Sequence, residues 1–199
     1  MPVSKEIISQ CKSNSEKARE IIFNEYAPIL FSICVRYLKD QTRAEDVMQD
    51  AFITIFTKIH QYKFKGSFEG WIKRITVNTA LMQLRQDKKL LMSDNLENIE
   101  ENPEDIDNSQ ILNIKDRRSV IENAKFSQSE IFEYVTELPT GFRTVFNLYV
   151  VEGFKHKEIS KKLNISVGTS KSQLLRARKK LENILYKKAL YKLKYQSNR

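Results

Sequence analysis

Apolar side chains recur along this chain with the 3.6-residue period of helices, most clearly in its N-terminal half. Tyr26, Ile29, Leu30, Ile33 and Tyr37 form one stripe. Ala44, Val47, Ala51, Ile55 and Ile59 form a second, preceded by Thr42-Arg-Ala-Glu45, the spelling of a capping box. The segment KFKGSFEG interrupts the pattern with two glycines, and a third helix is predicted from about Phe68 to Gln86 through Trp71, Ile72, Ile75 and Leu81. Farther on, Ser127-Gln-Ser-Glu130 spells another capping box ahead of Ile131, Val135 and Leu138. After Pro139 the run FRTVFNLYVV is mostly apolar and is expected in a core.

The last part of the pattern carries the most information. A short helix is predicted over roughly His156–Leu163, followed by a tight turn at Asn164-Ile165. Ser166 then caps a helix in which Ser170, Leu174, Ala177 and Leu181 share one face. Lys171, Ser172, Leu175, Arg176, Arg178 and Lys179 cover much of the rest. Two helices joined by a few residues, the second cationic, spell a helix-turn-helix whose second helix enters the DNA major groove. A charged face can also be merely solvated; the turn, the cap and the preceding helix favour the DNA reading. In that pose Arg176 forks to guanine O6 and N7, Lys171 or Ser172 reaches bases or phosphates, and Leu175 meets a thymine methyl. Lys179 and Lys180 serve as phosphate contacts.

Composition agrees with an all-helical chain of one medium or two small domains: 199 residues, 41% hydrophobic, with only five Gly and four Pro. Net charge is +9, which suits a polyanionic partner. The charge is unevenly placed. Residues 93–114 hold seven acids and no base, together with Pro103, and read as a linker. From Gly153 onward fourteen Lys and Arg face two acids, Glu158 and Glu182. The expected organisation is therefore two small helical domains joined by an acidic linker: an N-terminal helical bundle over 1–92, the linker over 93–126, a helix-turn-helix domain over 127–190 and a basic tail over 191–199.

Enzyme chemistry finds no support. The chain has no GxxxxGK[ST], HExxH or GxSxG; His60 and His156 stand far apart, and Cys11 and Cys34 lack metal-ligand spacing. Neither a catalytic residue, a metal, a cofactor nor a small-molecule substrate is expected. Cys34, on an apolar stripe, is expected buried and inert, and the cysteine usage suits a reducing compartment. The N-terminus lacks the apolar core of a signal peptide and no apolar run reads as long enough to span a bilayer, so a soluble cytoplasmic protein is expected.

The run LPTGFRTVFNLYVVEGFKHKEISKKLNISVGTSKSQLLRARKKL resembles the C-terminal domain of an extracytoplasmic-function (ECF) sigma factor, which in that family reads the minus-thirty-five promoter element. FNEYAPILFSICVRYLKDQTRAEDVMQDAFITIFTKI and GSFEGWIKRITVNTALMQLR resemble the family's N-terminal domain. The resemblance covers about four-fifths of the chain, in the family's order. It implies that Asp46, Gln49 and Asp50, at i, i+3 and i+4, dock on the clamp helices of the largest subunit of core RNA polymerase. A solvated polar face explains those acids equally well without the motif AEDVMQDAF. The resemblance also implies minus-ten reading and melting by KFKGS and the following helix. There Lys63, Lys65, Lys73 and Arg74 hold phosphates, Ser67 and Asn78 bond base edges, and Phe64 or Phe68 stacks on an unstacked base. Trp71, among Ile72, Ile75 and Phe68, reads as a packed core residue.

Two positions depart from the family pattern. Met82 stands where the family often has Asp in Asn-x-x-x-Asp-x-x-Arg, although Asn78 and Arg85 remain. Ser170 replaces the commoner Val, and a back-bond to a carbonyl of the preceding turn is expected of it. Partners implied by the resemblance are core RNA polymerase, promoter DNA and an anti-sigma factor. The connector is either a self-repelling tether or a mimic of nucleic acid in the RNA exit channel. The basic amphipathic stretch after Leu181 either extends the last helix over core or lies on a membrane, the former being favoured. The rival classes are a helix-turn-helix regulator that does not dock on polymerase and a helical nucleic-acid-binding adaptor. For the first, residues 20–90 would have to be a sensory module.

Overall fold

The computed structural model describes residues 3–86 and 114–196; the acidic stretch of the connector lies outside them. Among the described residues the regular structure is helical. The chain divides into two compact units, Met1–Lys88 and Lys89–Arg199.

The first unit contains α1 (Lys5–Lys12), α2 (Glu16–Leu38), α3 (Gln41–Lys58), a 3-10 turn (Ile59–Gln61) and α4 (Phe68–Gln86). Helix α2 is its axis and packs against α1, α3 and α4. The first stripe faces this core, with Leu30, Ile33 and Tyr37 buried and Ile29 half-exposed at its edge. Every member of the second stripe is buried. Helix α3 begins two residues earlier than the capping-box spelling suggests. Asp40 is its cap, its carboxylate accepting from the Arg43 N–H at 2.9 Å, so Thr42 lies inside the first turn. Asp40 takes the cap because its backbone is extended, the conformation a cap needs.

Helix α2 corrects the expectation that no run is apolar and long enough for a membrane: its 23 residues include a window of mean hydropathy 1.3. One side of it is packed, with Ile22, Leu30, Cys34 and Tyr37 fully buried among its neighbours, while Ile21, Phe23 and Ile29 remain exposed. Cys34 is buried as expected, and burial pushes its thiol up to about 12, which keeps it unreactive.

The second unit contains α5 (Ile114–Asn123), α6 (Gln128–Thr136), α7 (Thr140–Phe146), a π-helical turn (Asn147–Val151), α8 (His156–Leu163) and α9 (Val167–Gln196). Residues 114–123, which the sequence places in the linker, are helical, and α5 packs against α9. The guanidinium of Arg117 sits 4.6 Å from the centre of the Tyr186 ring. The Ser127 capping box forms with both bonds, 3.2 Å from the Glu130 N–H to the hydroxyl and 2.7 Å from the Ser127 N–H to the Glu130 carboxylate. Tyr134, Val135, Leu138, Phe142, Ala177 and Leu181 make the core.

The run FRTVFNLYVV is less uniform than expected. Phe142, Val145 and Leu148 are buried, but Val150 and Val151 face outward. Arg143 is buried instead, donating to the carbonyls of Leu138 (2.8 Å) and Thr136 (3.2 Å) where α6 ends. It supplies donors to carbonyls that a helix end leaves without partners.

Helix α9 runs through the predicted tail to Gln196 as one element of 30 residues. Ala189 is buried, and Lys192 pairs with Glu130 at 3.0 Å while lying over the Phe126 ring. These contacts place part of the basic stretch on the domain's own core, the favoured of the two readings.

Candidate nucleic-acid interface

The turn between α8 and α9 is built from local chemistry. Asn164 closes α8 in the left-handed conformation (φ 54°), which asparagine tolerates better than most side chains, and the Ile165 N–H returns to the Ser160 carbonyl. Ser166 accepts from the Thr169 N–H at 2.9 Å, capping α9. At the start of α8 the Glu158 carboxylate accepts from the Lys155 N–H at 2.8 Å.

The face assignment of α9 matches the expected one: Ser170, Leu174, Ala177 and Leu181 are all buried. Gln173 is buried with them, at 5% exposure. Lys171, Ser172, Leu175, Arg176, Arg178, Lys179 and Lys180 are exposed. Leu175 is 70% exposed on this cationic surface, the largest exposure of any large apolar side chain among the described residues. Ser172 gives its hydroxyl hydrogen to the Thr169 carbonyl at 3.0 Å, so toward an outside group it has an acceptor to offer.

Ser170 does not bond back to its own helix. Its hydroxyl meets His156 Nδ1 at 2.9 Å, joining the first turn of α8 to the buried side of α9. Tyr149 stacks on the other side of the clasp, 4.6 Å from the His156 ring and 24° from parallel, and Arg178 lies 5.8 Å from the Tyr149 centroid. The sequence places His156 at the start of a predicted helix and gives it no task. No local pattern could have paired it with a serine fourteen positions away.

In the first unit Asp46, Gln49 and Asp50 are exposed on one face of α3. Ile53, one turn further along that face, is 64% exposed, a residue the sequence reading missed. Its signal was present: an isoleucine at i+7 from Asp46, off the buried stripe.

The segment between the 3-10 turn and α4 places Lys63, Phe64, Lys65 and Ser67 outward. Phe64 keeps 38% exposure, whereas Phe68 is buried at 6%, so of the two stacking candidates only Phe64 presents a ring to solvent. Phe68 instead packs edge-on against Tyr26 and Tyr62. Ser67 accepts from the Gly70 N–H at 3.3 Å and so also serves as the cap of α4. Trp71 is half-buried rather than enclosed, its ring 5.9 Å from Phe68 and 5.5 Å from Tyr62. Arg74, Asn78 and Arg85 lie exposed along α4, and Lys73 pairs with Glu69 one turn earlier. Met82, where the family often has a carboxylate, is 56% exposed.

Comparison with known proteins follows the same division. The family model Sigma-70 region 2 matches residues 22–90, and Sigma-70, region 4 matches residues 128–181. The ECF RNA polymerase sigma factor SigE of Mycolicibacterium smegmatis is 28% identical over 83% of this chain and 61% of that protein. The ECF RNA polymerase sigma-E factor of Haemophilus influenzae is 25% identical over 89% of this chain and 92% of its own. SigW of Bacillus subtilis, another ECF sigma factor, is 26% identical over 91% and 96%. Among solved structures, the sigma factor RpoE in complex with the anti-sigma factor NepR from Bartonella quintana is 18% identical, with a TM-score of 0.47 over 83% of this chain and 95% of that one. With region 2 on the first helical unit and region 4 on the second, the chain belongs to the ECF family of RNA polymerase sigma factors.

Proposed function

We propose that this chain binds core RNA polymerase in the cytoplasm and directs initiation at a defined set of promoters, with an anti-sigma factor as its regulator. The polymerase supplies the bond-forming chemistry, and the chain contributes recognition. In this reading Asp46, Gln49 and Asp50 dock on the clamp helices of the largest subunit. Lys171, Ser172, Leu175, Arg176 and Lys179 engage the minus-thirty-five duplex. Lys63, Phe64, Lys65, Ser67, Lys73, Arg74, Asn78 and Arg85 engage the minus-ten strand as it opens.

One observation carries the reading. Leu175 stands 70% exposed beside Lys171, Arg176 and Lys179 on a helix whose opposite side is buried. Leaving an aliphatic side chain in water forgoes about 1.5–3 kcal/mol of burial, and a major groove offers it a thymine methyl while the cations meet phosphates and guanine. The test is co-purification with core RNA polymerase, then in-vitro transcription on genomic fragments with mapping of start sites. The expected result is stoichiometric binding and initiation at discrete positions. Duplex binding without polymerase association would replace the reading with that of a simple regulator.

A further inference from the structure

The segment bearing Phe64 is held in shape by a residue far from it in sequence. Phe64 occupies the left-handed region (φ 57°), which a bulky side chain adopts only where its surroundings impose it. Gly66 follows at φ 84°, and the Tyr62 hydroxyl donates to the Gly66 carbonyl at 2.8 Å, closing the loop across its base. The remaining fixed point comes from α1. Lys12 Nζ donates to the Tyr62 carbonyl, and the same ammonium stands 4.4 Å from the centre of the Phe64 ring. Lys12 is half-buried, unlike Lys63 and Lys65, which point outward. Beside the loop lies a cleft whose other wall is Val3, Lys5 and Ile8, so the N-terminal segment borders the place where a captured base would enter. This segment precedes residue 22, where the match to Sigma-70 region 2 begins.

We propose that Lys12 is a positioning residue for strand capture: by bonding the Tyr62 carbonyl and facing the Phe64 ring, it holds that ring in the geometry needed to receive an unstacked base. The proposal rests on the minus-ten reading of this loop given above. The physical case is one of preorganisation. A loop that must order itself on each encounter loses affinity to that ordering, and a charge-assisted hydrogen bond with a cation over the ring removes the cost beforehand. A lysine that instead touched phosphate would sit in solvent and leave its mark on the salt dependence of binding.

The experiment uses the full chain with core polymerase on a promoter mapped as above, with 2-aminopurine at successive minus-ten non-template positions to read unstacking. Binding is followed over a salt series. Lys12→Met, which keeps the aliphatic stem, is expected to lower the unstacked fraction about tenfold with polymerase co-purification and the salt slope unchanged. Lys12→Arg, which keeps cation and donor, should recover most of the signal. Phe64→Ala should lose a comparable amount, and the double variant should be no worse than Phe64→Ala alone. Additive losses, or a salt slope reduced by about one phosphate in Lys12→Met, overturn the proposal and make Lys12 a direct contact. Full melting in Lys12→Met alongside a defect in Phe64→Ala overturns it while sparing the loop's assignment. Full melting in Phe64→Ala removes that assignment and the proposal together.

Discussion

His156 Nδ1 and Ser170 Oγ lie 2.9 Å apart, and this bond ties the first helix of the helix-turn-helix to the buried side of the second. Ser170 is fully buried, so removing its partner leaves a hydroxyl with no access to water. Ser170→Ala and His156→Ala are each expected to destabilise the fold by about 1 kcal/mol. The double variant should cost no more than the larger single, giving a coupling on the order of 0.5–1 kcal/mol in urea unfolding. Independent effects would show that the two side chains do not act through each other.

Arg176 and Lys179 share the exposed side of α9 but are assigned different tasks. Arg176→Ala should weaken binding by about 1–3 kcal/mol at one base pair and relax the preference there. Lys179→Ala should weaken all sequences alike and reduce the salt slope by about one. Quantitative binding to a library of single-base variants, at two salt concentrations, separates the two. A uniform loss for Arg176→Ala would reassign it to phosphate.

The face of α3 that carries Asp46, Gln49 and Asp50 continues to Ile53, whose exposed side chain extends an otherwise polar patch. An apolar side chain surrounded by polar ones is the arrangement expected of a docking surface, where a small buried centre carries most of the affinity. Ile53→Asp, and separately Asp46→Arg with Asp50→Arg, should each weaken association with core polymerase by about tenfold or more. Promoter-independent co-purification measures this. Wild-type association in both would remove this face from the docking account.

Glu130 gives the C-terminal unit an acid-sensitive joint. The Ser127 N–H and then the Lys192 ammonium hold its carboxyl at about 2, below the usual carboxylate range. A folded-state pKa lower than the unfolded one contributes stability above the unfolded value. That contribution is lost as pH falls from roughly 4.5 toward 2. Glu130→Gln cannot titrate and should lower the melting temperature at neutral pH, the gap from wild type closing across this acid range. A gap that stays constant down to pH 2 would show that the carboxylate's charge is not what matters.

What could be read from residue order was what lies within a turn or two of itself. The apolar stripes of α2, α3 and α9, the box at Ser127 and the cap at Ser166 depend on side chains three or four positions apart, and a helix brings such neighbours together whatever surrounds it. Even here the spelling Thr42-Arg-Ala-Glu45 misplaces the start of α3, which Asp40 caps instead. The acidic connector was legible as charge, yet its far end was not. Helix α5 holds few apolar residues among its charges, and it packs on the surface of α9.

The contacts that shape the candidate sites belong to the tertiary structure. Lys12 reaches Tyr62 across fifty positions, Lys192 reaches Glu130 across sixty-two, and His156 finds Ser170 across a turn. Packing likewise separated Phe64 from Phe68, sending one ring outward and the other into a cluster of aromatics. Periodicity decides which side of a helix is apolar because that is a property of the helix alone. Which polar groups meet depends on how whole helices pack, since only packing brings distant groups within hydrogen-bonding reach.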